Sequence, residues 1–370
     1  MSGDRADASA RAIAARFAVE GTLEGVEPHH GGHINESWLL TWRTPRGRRR
    51  FLLQHVNRFV FRRPELVMEN MVRVTRHVAA QLAREGVPSP ERRVLAVVPT
   101  REGATHHVEP DGELWRLLPW IEGTRSREVA ETTSEAEAAA RAFGRFLRQL
   151  ADLPAPPLHE TIPRFHDTAS RVARLEQAAG GDRARRVADA GDEIAALLGR
   201  RALATALAGA GGGDPSMVRT AHNDAKVANV LFDADTGEAL CVVDLDTVMP
   251  GLALHDFGDL VRSSVSDSAE DEADLARVRV RVPVFAALAR GFVEGAGDLL
   301  GPVDRAHMVA AAKVITFEQA VRFLTDHLEG DPYYRVARPR HNLERTRAQL
   351  RLLESLEEHE RELERIVAGL

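Results

Sequence analysis

The chain has a single cysteine, Cys241. One thiol cannot build an internal disulfide framework, so a reducing compartment is expected, and with it a cytoplasmic location. Cys241 lies within the apolar stretch A-L-C-V-V and reads as a packing residue rather than a nucleophile. No uninterrupted apolar run approaches the roughly 18 residues that a membrane span needs, and no membrane partner is expected. The first twenty residues, Ala/Arg-rich with Asp4 and Asp7, lack the apolar core of a signal peptide. A basic excess is missing as well: the net charge is −6, which argues against a general nucleic-acid binder. Lysine is scarce beside abundant arginine, which we read as coding background. The glycine run 209–213 has no G-K-[ST] after it and so is a linker, not a P-loop. What is present is ordinary for a globular protein: 44% hydrophobic and 28% charged residues over 370 positions, long enough for two domains or lobes.

The informative stretch runs from Thr220 to Arg262. His222, Asp224, Lys226 and Asn229 form H-x-D-x-K-x-x-N, and an apolar segment, 239–243, then delivers Asp244 and Asp246. Between them, Asp235-Thr236-Gly237 has the composition of a hairpin turn. Two short strands would then hold a carboxylate (Asp224) able to orient or deprotonate a hydroxyl. Beside it lie an amide (Asn229) and a carboxylate (Asp244) able to hold Mg²⁺. Lys226 is placed to stabilise charge on a transferred group, and Asp246 is a second-metal or supporting candidate. Phosphoryl transfer needs these parts, because catalysis there is positioning and charge neutralisation.

The five-residue spacing from Asp224 to Asn229 matches the catalytic loop of protein kinases. The wording H-N-D and D-L-D resembles the aminoglycoside phosphotransferase/choline kinase branch. H-N-D-x-K-x-x-N together with C-V-V-D-L-D-T-V-M-P-G resembles the N-acetylhexosamine 1-kinases more closely. G-H-I-N-E-S at 32–37, F-L-L-Q-H-V-N at 51–57, M-E-N at 68–70 and L-H-E-T-I-P-R-F-H-D-T at 158–168 resemble that family too, so the likeness covers about residues 30 to 340. It implies a two-lobed α+β protein-kinase-like fold: an antiparallel-sheet lobe over 1–118 and a mainly helical lobe over 119–370. The implied cofactors are ATP and Mg²⁺, and the implied partner is a small-molecule amino sugar. An aminoglycoside or choline-type alcohol is the alternative acceptor, and a catalytically silent nucleotide-binding scaffold is the alternative class.

The resemblance also implies roles along the chain. Gly31 and Gly32 would form the phosphate-covering turn, with His33 a sugar or phosphate contact. Gln54 stands at the end of F-L-L-Q, where a kinase carries its phosphate-binding lysine, so another cation, such as Arg58 or Arg62, is expected to compensate. Glu69, in a helix over 64–85, would orient the residue at that strand position. Leu117-Leu118-Pro119-Trp120 would be the hinge, where Pro119 offers only a carbonyl. Arg322 and Tyr333, eleven apart, would contact the sugar. Asp256 would tie the catalytic loop to the following helix, and Asp259 would do the same or cap that helix.

Further elements are expected from periodicity and turn residues. These are a helix over 8–19, a hairpin of 37–43 with 49–56, and strands at 94–98, 105–108 and 114–118. Helices are expected at 134–153 capped by Ser134, then at 168–180, 185–208, 276–295, 303–328 and 340–368. The leucine stripe of the last one fits packing on its own lobe or against another subunit. The acidic stretch 267–275 reads as a solvated loop.

Overall fold

The structure is a computed structural model that describes residues 3–30, 34–207 and 217–370. Gly31, Gly32, His33 and the 209–213 linker lie outside the described residues. Strands β1 (Thr22–His29), β2 (Glu36–Thr44), β3 (Gly47–His55), β4 (His107–Val108) and β5 (Leu114–Pro119) form one antiparallel sheet in the order β1-β2-β3-β5-β4. The β2–β3 turn closes on Gly47, whose φ of 100° lies in the left-handed region that glycine reaches without steric cost.

The two faces of this sheet differ. Trp38, Leu53 and Leu117 sit opposite one another across three strands. They pack with Ala10, Ile13 and Ala14 of helix α1 (Gly3–Ala14) and with Phe17. One residue along each strand, the period of two puts Ser37, Gln54 and Arg116 in a row on the opposite face. Helix α2 (Pro64–Arg84) starts with Pro64 in its first turn, where the missing N–H costs nothing. It buries Val67, Met71, Val74, Val78 and Leu82 at helical spacing.

After Pro119 the chain enters a second sheet. β6 (Thr124–Arg125) pairs with β8 (Val230–Asp233), which pairs with β9 (Ala239–Val242). β7 (Arg219–Ala221) pairs with β10 (Met249–Gly251). Around these strands pack α3 (Thr133–Leu150), α4 (Thr168–Gly181), α5 (Gly191–Gly199), α6 (Ala253–Ser264), α7 (Val282–Ala296), α8 (Pro302–Ala306), α9 (Met308–Glu329) and α10 (His341–Ala368). Helices α3 and α7 approach through glycine. An added Cβ would lie 2.2 Å from the Glu137 carbonyl oxygen at Gly291, 2.3 Å from that of Arg141 at Gly295, and 2.4 Å from that of Phe292 at Gly144.

Several expectations need correction. Helix α1 ends at Ala14 rather than reaching 19. Residues 94–98 form no strand; only Val98 makes an isolated bridge, to Leu117. The expected 105–108 strand shrinks to His107–Val108. Helix α3 is capped by Thr132, whose hydroxyl accepts from the Glu135 N–H, and not by Ser134. Residues 185–208 break into α5 and short 3₁₀ turns at 187–189 and 201–205. The 267–275 acids are not simply solvated: Asp271 pairs with Arg338 and His341, and Glu270 with Arg262. The leucine stripe of α10 packs on its own lobe, with Leu350 and Leu353 in one core cluster and Leu356 and Leu363 in another.

Candidate active site

The catalytic-loop segment begins where β7 ends. Asp256, in the first turn of α6, accepts the backbone N–H of His222 at 2.9 Å and of Asn223 at 2.6 Å. Burial pushes its carboxyl up to about 6 against these stabilising bonds. The His222 ring is buried edge-on against Phe143 and bonds the Val243 carbonyl at 2.9 Å. Asn223 takes a left-handed φ of 63°, which asparagine tolerates, and its side-chain amide donates to the carbonyls of Ala221, Thr247 and Met249. These bonds hold the turn and leave the Asp224 carboxylate partly exposed.

Lys226 Nζ lies 2.9 Å from Asp224 Oδ2, and Asn229 Nδ2 donates to the Asp224 carbonyl at 2.9 Å. Burial would raise the Asp224 pKa, but the Lys226 ammonium outweighs it and holds the carboxyl below its ordinary range. Burial likewise opposes the charge of Lys226, and the carboxylates of Asp224 and Asp244 reverse that and keep it protonated. The hairpin expected at Asp235-Thr236-Gly237 is present. Asp233 Oδ1 accepts from Asp235 N, Thr236 N and the Thr236 hydroxyl, and Gly237 has φ 74°.

The hairpin returns the chain to Asp244, a non-glycine residue at φ 60° and ψ 57°. Such backbone strain collects at functional sites. The Asp244 side chain is exposed, yet much protein crowds around it. That crowding, then the nearby carboxylates of Asp246 and Asp224, push its pKa up to about 7. The acid cluster is short of positive charge, which suits a cation. The Asn229 bond to the Asp224 carbonyl uses the amide nitrogen and leaves the amide oxygen, the atom a hard cation takes. Among the described residues no group of three or more His, Cys, Asp or Glu is arranged to hold a metal. A Mg²⁺ held by one or two protein ligands plus substrate phosphates needs no such group. The residues present fit that ion.

Asp246 is buried and does not stand free. Arg116 grips it with both guanidinium nitrogens, the Nη2–Oδ2 distance being 3.0 Å, and Asn35 Nδ2 donates to the same carboxylate at 2.7 Å. Arg116 Nε donates to Gln54 Oε1 at 2.9 Å, and Gln54 Nε2 donates to the Ser37 hydroxyl at 3.2 Å. The cation beside Gln54 is therefore Arg116. Arg58 points instead to the Asp111 carbonyl and Glu113.

Glu69 does not meet Gln54; it pairs with His159 at 3.0 Å and stays half-exposed. The buried member of M-E-N is Asn70. It exchanges hydrogen bonds with the His159 backbone at 2.8 and 3.0 Å and donates to the Val248 carbonyl at 3.1 Å. Pro119 closes β5 opposite Phe51, and Trp120 N donates to the Arg50 carbonyl at 3.0 Å.

Arg322 and Tyr333 are brought together. With Arg171, Arg174 and Tyr334 they line a cavity of about 80 Å³. The Arg322 guanidinium lies 5.4 Å from the Phe165 ring centroid and 5.6 Å from that of Tyr334, and donates to Gln319 Oε1 at 3.1 Å. Asp326 accepts the N–H of both Tyr333 and Tyr334 and so fixes their loop. Behind Phe165, the His166 Nδ1 atom pairs with Glu318 at 3.0 Å, and Nε2 bonds the Asn223 carbonyl at 3.0 Å. His166 thus joins helix α9, the helix of Arg322, to the catalytic loop.

Residues 25–291 match the family described as "Phosphotransferase enzyme family". The chain belongs to that family. Solved structures with the same fold include an aminoglycoside phosphotransferase from Alicyclobacillus acidocaldarius, 14% identical with TM-score 0.59 over 97% of this chain and 96% of that one. A choline/ethanolamine kinase family protein from Mesorhizobium loti is 18% identical with TM-score 0.55 over 100% of both. A spectinomycin phosphotransferase solved with ADP and spectinomycin is 11% identical with TM-score 0.56 over 95% of this chain and 98% of that one. No described helix of this phosphotransferase is long and apolar enough to cross a membrane.

Sequence reasoning about the phosphotransferase missed Arg116, Asn70 and Arg171. Arg116 did leave a signal: it is the one charge inside the apolar strand L-W-R-L-L, and a buried strand tolerates a cation only when it is paired. Asn70 stands in the M-E-N stretch, where Glu69 is the expected contact; Arg171 lies in an ordinary helical context and left no signal.

Proposed function

We propose that this phosphotransferase transfers the γ-phosphoryl group of ATP to the anomeric 1-hydroxyl of an N-acetylhexosamine, GlcNAc or GalNAc, with Mg²⁺. The observation that carries the reading is the His166 link between the catalytic loop, which holds Asp224, Lys226 and Asn229, and helix α9, which carries Arg322 of the Arg322–Tyr333 cavity. The lobes meet where β5 ends at Pro119 and the chain crosses to β6, so 1–118 covers the nucleotide and 119–370 carries the catalytic loop and acceptor site.

Asp224 accepts the hydrogen bond of the acceptor hydroxyl and orients it. Its lowered pKa makes it a weak base at neutral pH, which suits a proton transferred late in the reaction. Lys226, held protonated, faces the phosphoryl group as charge develops there. Asn229 and Asp244 would hold Mg²⁺, which when bound neutralises phosphate charge. Arg116 supplies the fixed positive charge that Gln54 lacks, acting through Asp246. Arg322 and Tyr333 donate to oxygens of the sugar. The cavity lining carries three arginines, Arg171, Arg174 and Arg322, against two carboxylates, Asp326 and Glu329, a balance that favours a neutral, oxygen-rich acceptor over a cationic one.

A second reading, an aminoglycoside or choline-type alcohol phosphotransferase, draws on the structural relatives, among them an aminopropanol kinase. ATP consumption with Mg²⁺ over a panel of free sugars, aminoglycosides and choline separates the readings. Turnover on GlcNAc or GalNAc, with phosphorus on the anomeric oxygen by NMR, is the expected result. Turnover only on an amine-bearing alcohol would replace the acceptor. Binding of ATP without turnover on any of them would leave two readings standing, a silent scaffold or an acceptor outside the panel. Asp224→Asn should lower kcat by about 10²- to 10⁴-fold while ATP binding persists.

A further inference from the structure

Phe59 is 68% exposed, the largest exposure of any bulky apolar side chain among the described residues. It stands in the loop between β3 and α2, and its ring centroid lies 6.5 Å from that of Tyr333, across the boundary between the sheet and helical lobes. Tyr333 is itself 41% exposed and lines the Arg171–Arg322 cavity. Two aromatic rings from opposite lobes thus touch beside a polar cavity that Tyr333 lines, with neither ring buried. Exposure of a single phenyl ring is unremarkable, but a pair of exposed rings beside a pocket supplies apolar walls to whatever protrudes from it.

The cavity needs such walls. Its volume is about 80 Å³, well below the roughly 300–1,000 Å³ of ordinary small-molecule pockets. It can hold one edge or one substituent of a sugar, and the rest of the ring would lie outward, against the exposed faces of Tyr333 and its neighbour Phe59. The cavity's own side chains are polar or charged apart from the tyrosine rings, so an apolar ring face would otherwise meet water there.

The loop that presents Phe59 is also built into the catalytic centre. Asn57 Oδ1 accepts the N–H of Phe59 at 2.9 Å and of Val60 at 3.3 Å, which fixes the turn. Asn57 N donates to Asn35 Oδ1 at 3.0 Å, and Asn57 Nδ2 to the Ile34 carbonyl at 3.1 Å. Asn35 in turn donates to Asp246, the acid that Arg116 clamps beside Asp244. A two-asparagine chain therefore sets the position of Phe59 relative to the phosphoryl-transfer site.

From this arrangement we infer that Phe59 is a specificity-determining residue for the acceptor. It is lent by the sheet lobe, stands against Tyr333 beside the cavity, and packs on an apolar face of a ring-shaped acceptor, such as a sugar, that protrudes from it. Asn57 is the positioning residue that holds it there. The inference rests on the kinase reading above, but not on which hydroxyl receives the phosphoryl group.

Steady-state kinetics of the full chain, with ATP and the best acceptor of the panel, tests it. In Phe59→Ala the acceptor KM should rise by about threefold to tenfold, the range expected for losing one aromatic contact. The KM for ATP and the slow ATP hydrolysis without acceptor should stay within twofold of the parent. Phe59→Tyr should restore the acceptor KM, and a linear alcohol acceptor should lose less than a cyclic one. If Phe59→Ala leaves the acceptor KM within twofold, Phe59 is only a contact between lobes and the inference is overturned. If it changes the KM values of ATP and acceptor alike, the role is structural and the inference also fails. If the parent protein turns over no acceptor at all, the kinase reading itself falls, a result distinguishable from either.

Discussion

At the residue scale the most consequential group is Arg116. A guanidinium and a carboxylate buried together stabilise little relative to apolar replacements, but removing one alone leaves an unpaired charge in a dry site. Asp246 is 2% exposed and Arg116 1% exposed, so no water can take over for the missing partner. Arg116→Met should therefore cost about 3–5 kcal/mol of stability, measured as a shifted urea midpoint. The same change should depress turnover, because Arg116 also holds Gln54 and lies beside the acids around Asp244. Arg58→Met, which removes a half-exposed pairing with Glu113, should change both quantities little. Near equality of the two variants would show that the Arg116 pair is not the charge that replaces the strand lysine.

The α3–α7 crossing shows what an element adds beyond its residues. Neither helix is remarkable alone; among the described helices they make the most extensive contact, and glycines at 144, 291 and 295 let backbone meet backbone. The crossing also places Phe143 and Phe146 of α3 against His222, so helix packing reaches the catalytic loop directly. Gly291→Ala would drive a methyl group into the Glu137 carbonyl, and neither backbone can yield without separating the helices. The expected loss is about 1–3 kcal/mol by thermal or denaturant unfolding. Gly180→Ala, which meets open space, is the control and should be neutral or slightly stabilising.

At the scale of the whole molecule, the buried His166–Glu318 ion pair links helix α9 to the catalytic loop. Burial opposes the charge of His166, but Glu318 outweighs it and raises its pKa above 6.5; the reciprocal attraction lowers Glu318 from 4.5 to about 2. A raised histidine contributes stability below its unfolded value, which is lost as pH rises through its folded one. A lowered carboxyl contributes stability above its unfolded value, which is lost as pH falls through its folded one. The pair therefore acts in full between about pH 4.5 and 6.5. Unfolding midpoints measured across pH should show its contribution fading from pH 4.5 toward 2. Glu318→Gln should remove that part of the slope and, near pH 6, cost about 3–5 kcal/mol. An unchanged acid limb in the variant would mean that the pair is not linked to folding.

What the sequence determined by itself is local. The Asp224-to-Asn229 spacing, the Asp-Gly turn and the apolar strand before Asp244 each depend on neighbouring residues, and they brought the acids to one place. The amphipathic period of α2 and the strand alternation around Trp38 and Leu40 were equally legible, because burial of one face imposes a repeat on the chain. Weak local segments were not legible: residues 94–98 carry apolar residues but find no partner strand, and 185–208 breaks where turns compete with helix. Only the tertiary structure decided which cation stands beside Gln54, which residue of M-E-N turns inward and which aromatic faces Tyr333. Those choices depend on groups separated by scores of residues, Arg116 from Asp246 by 130 and Asn70 from Val248 by 178, and no periodicity or spacing encodes a contact of that range.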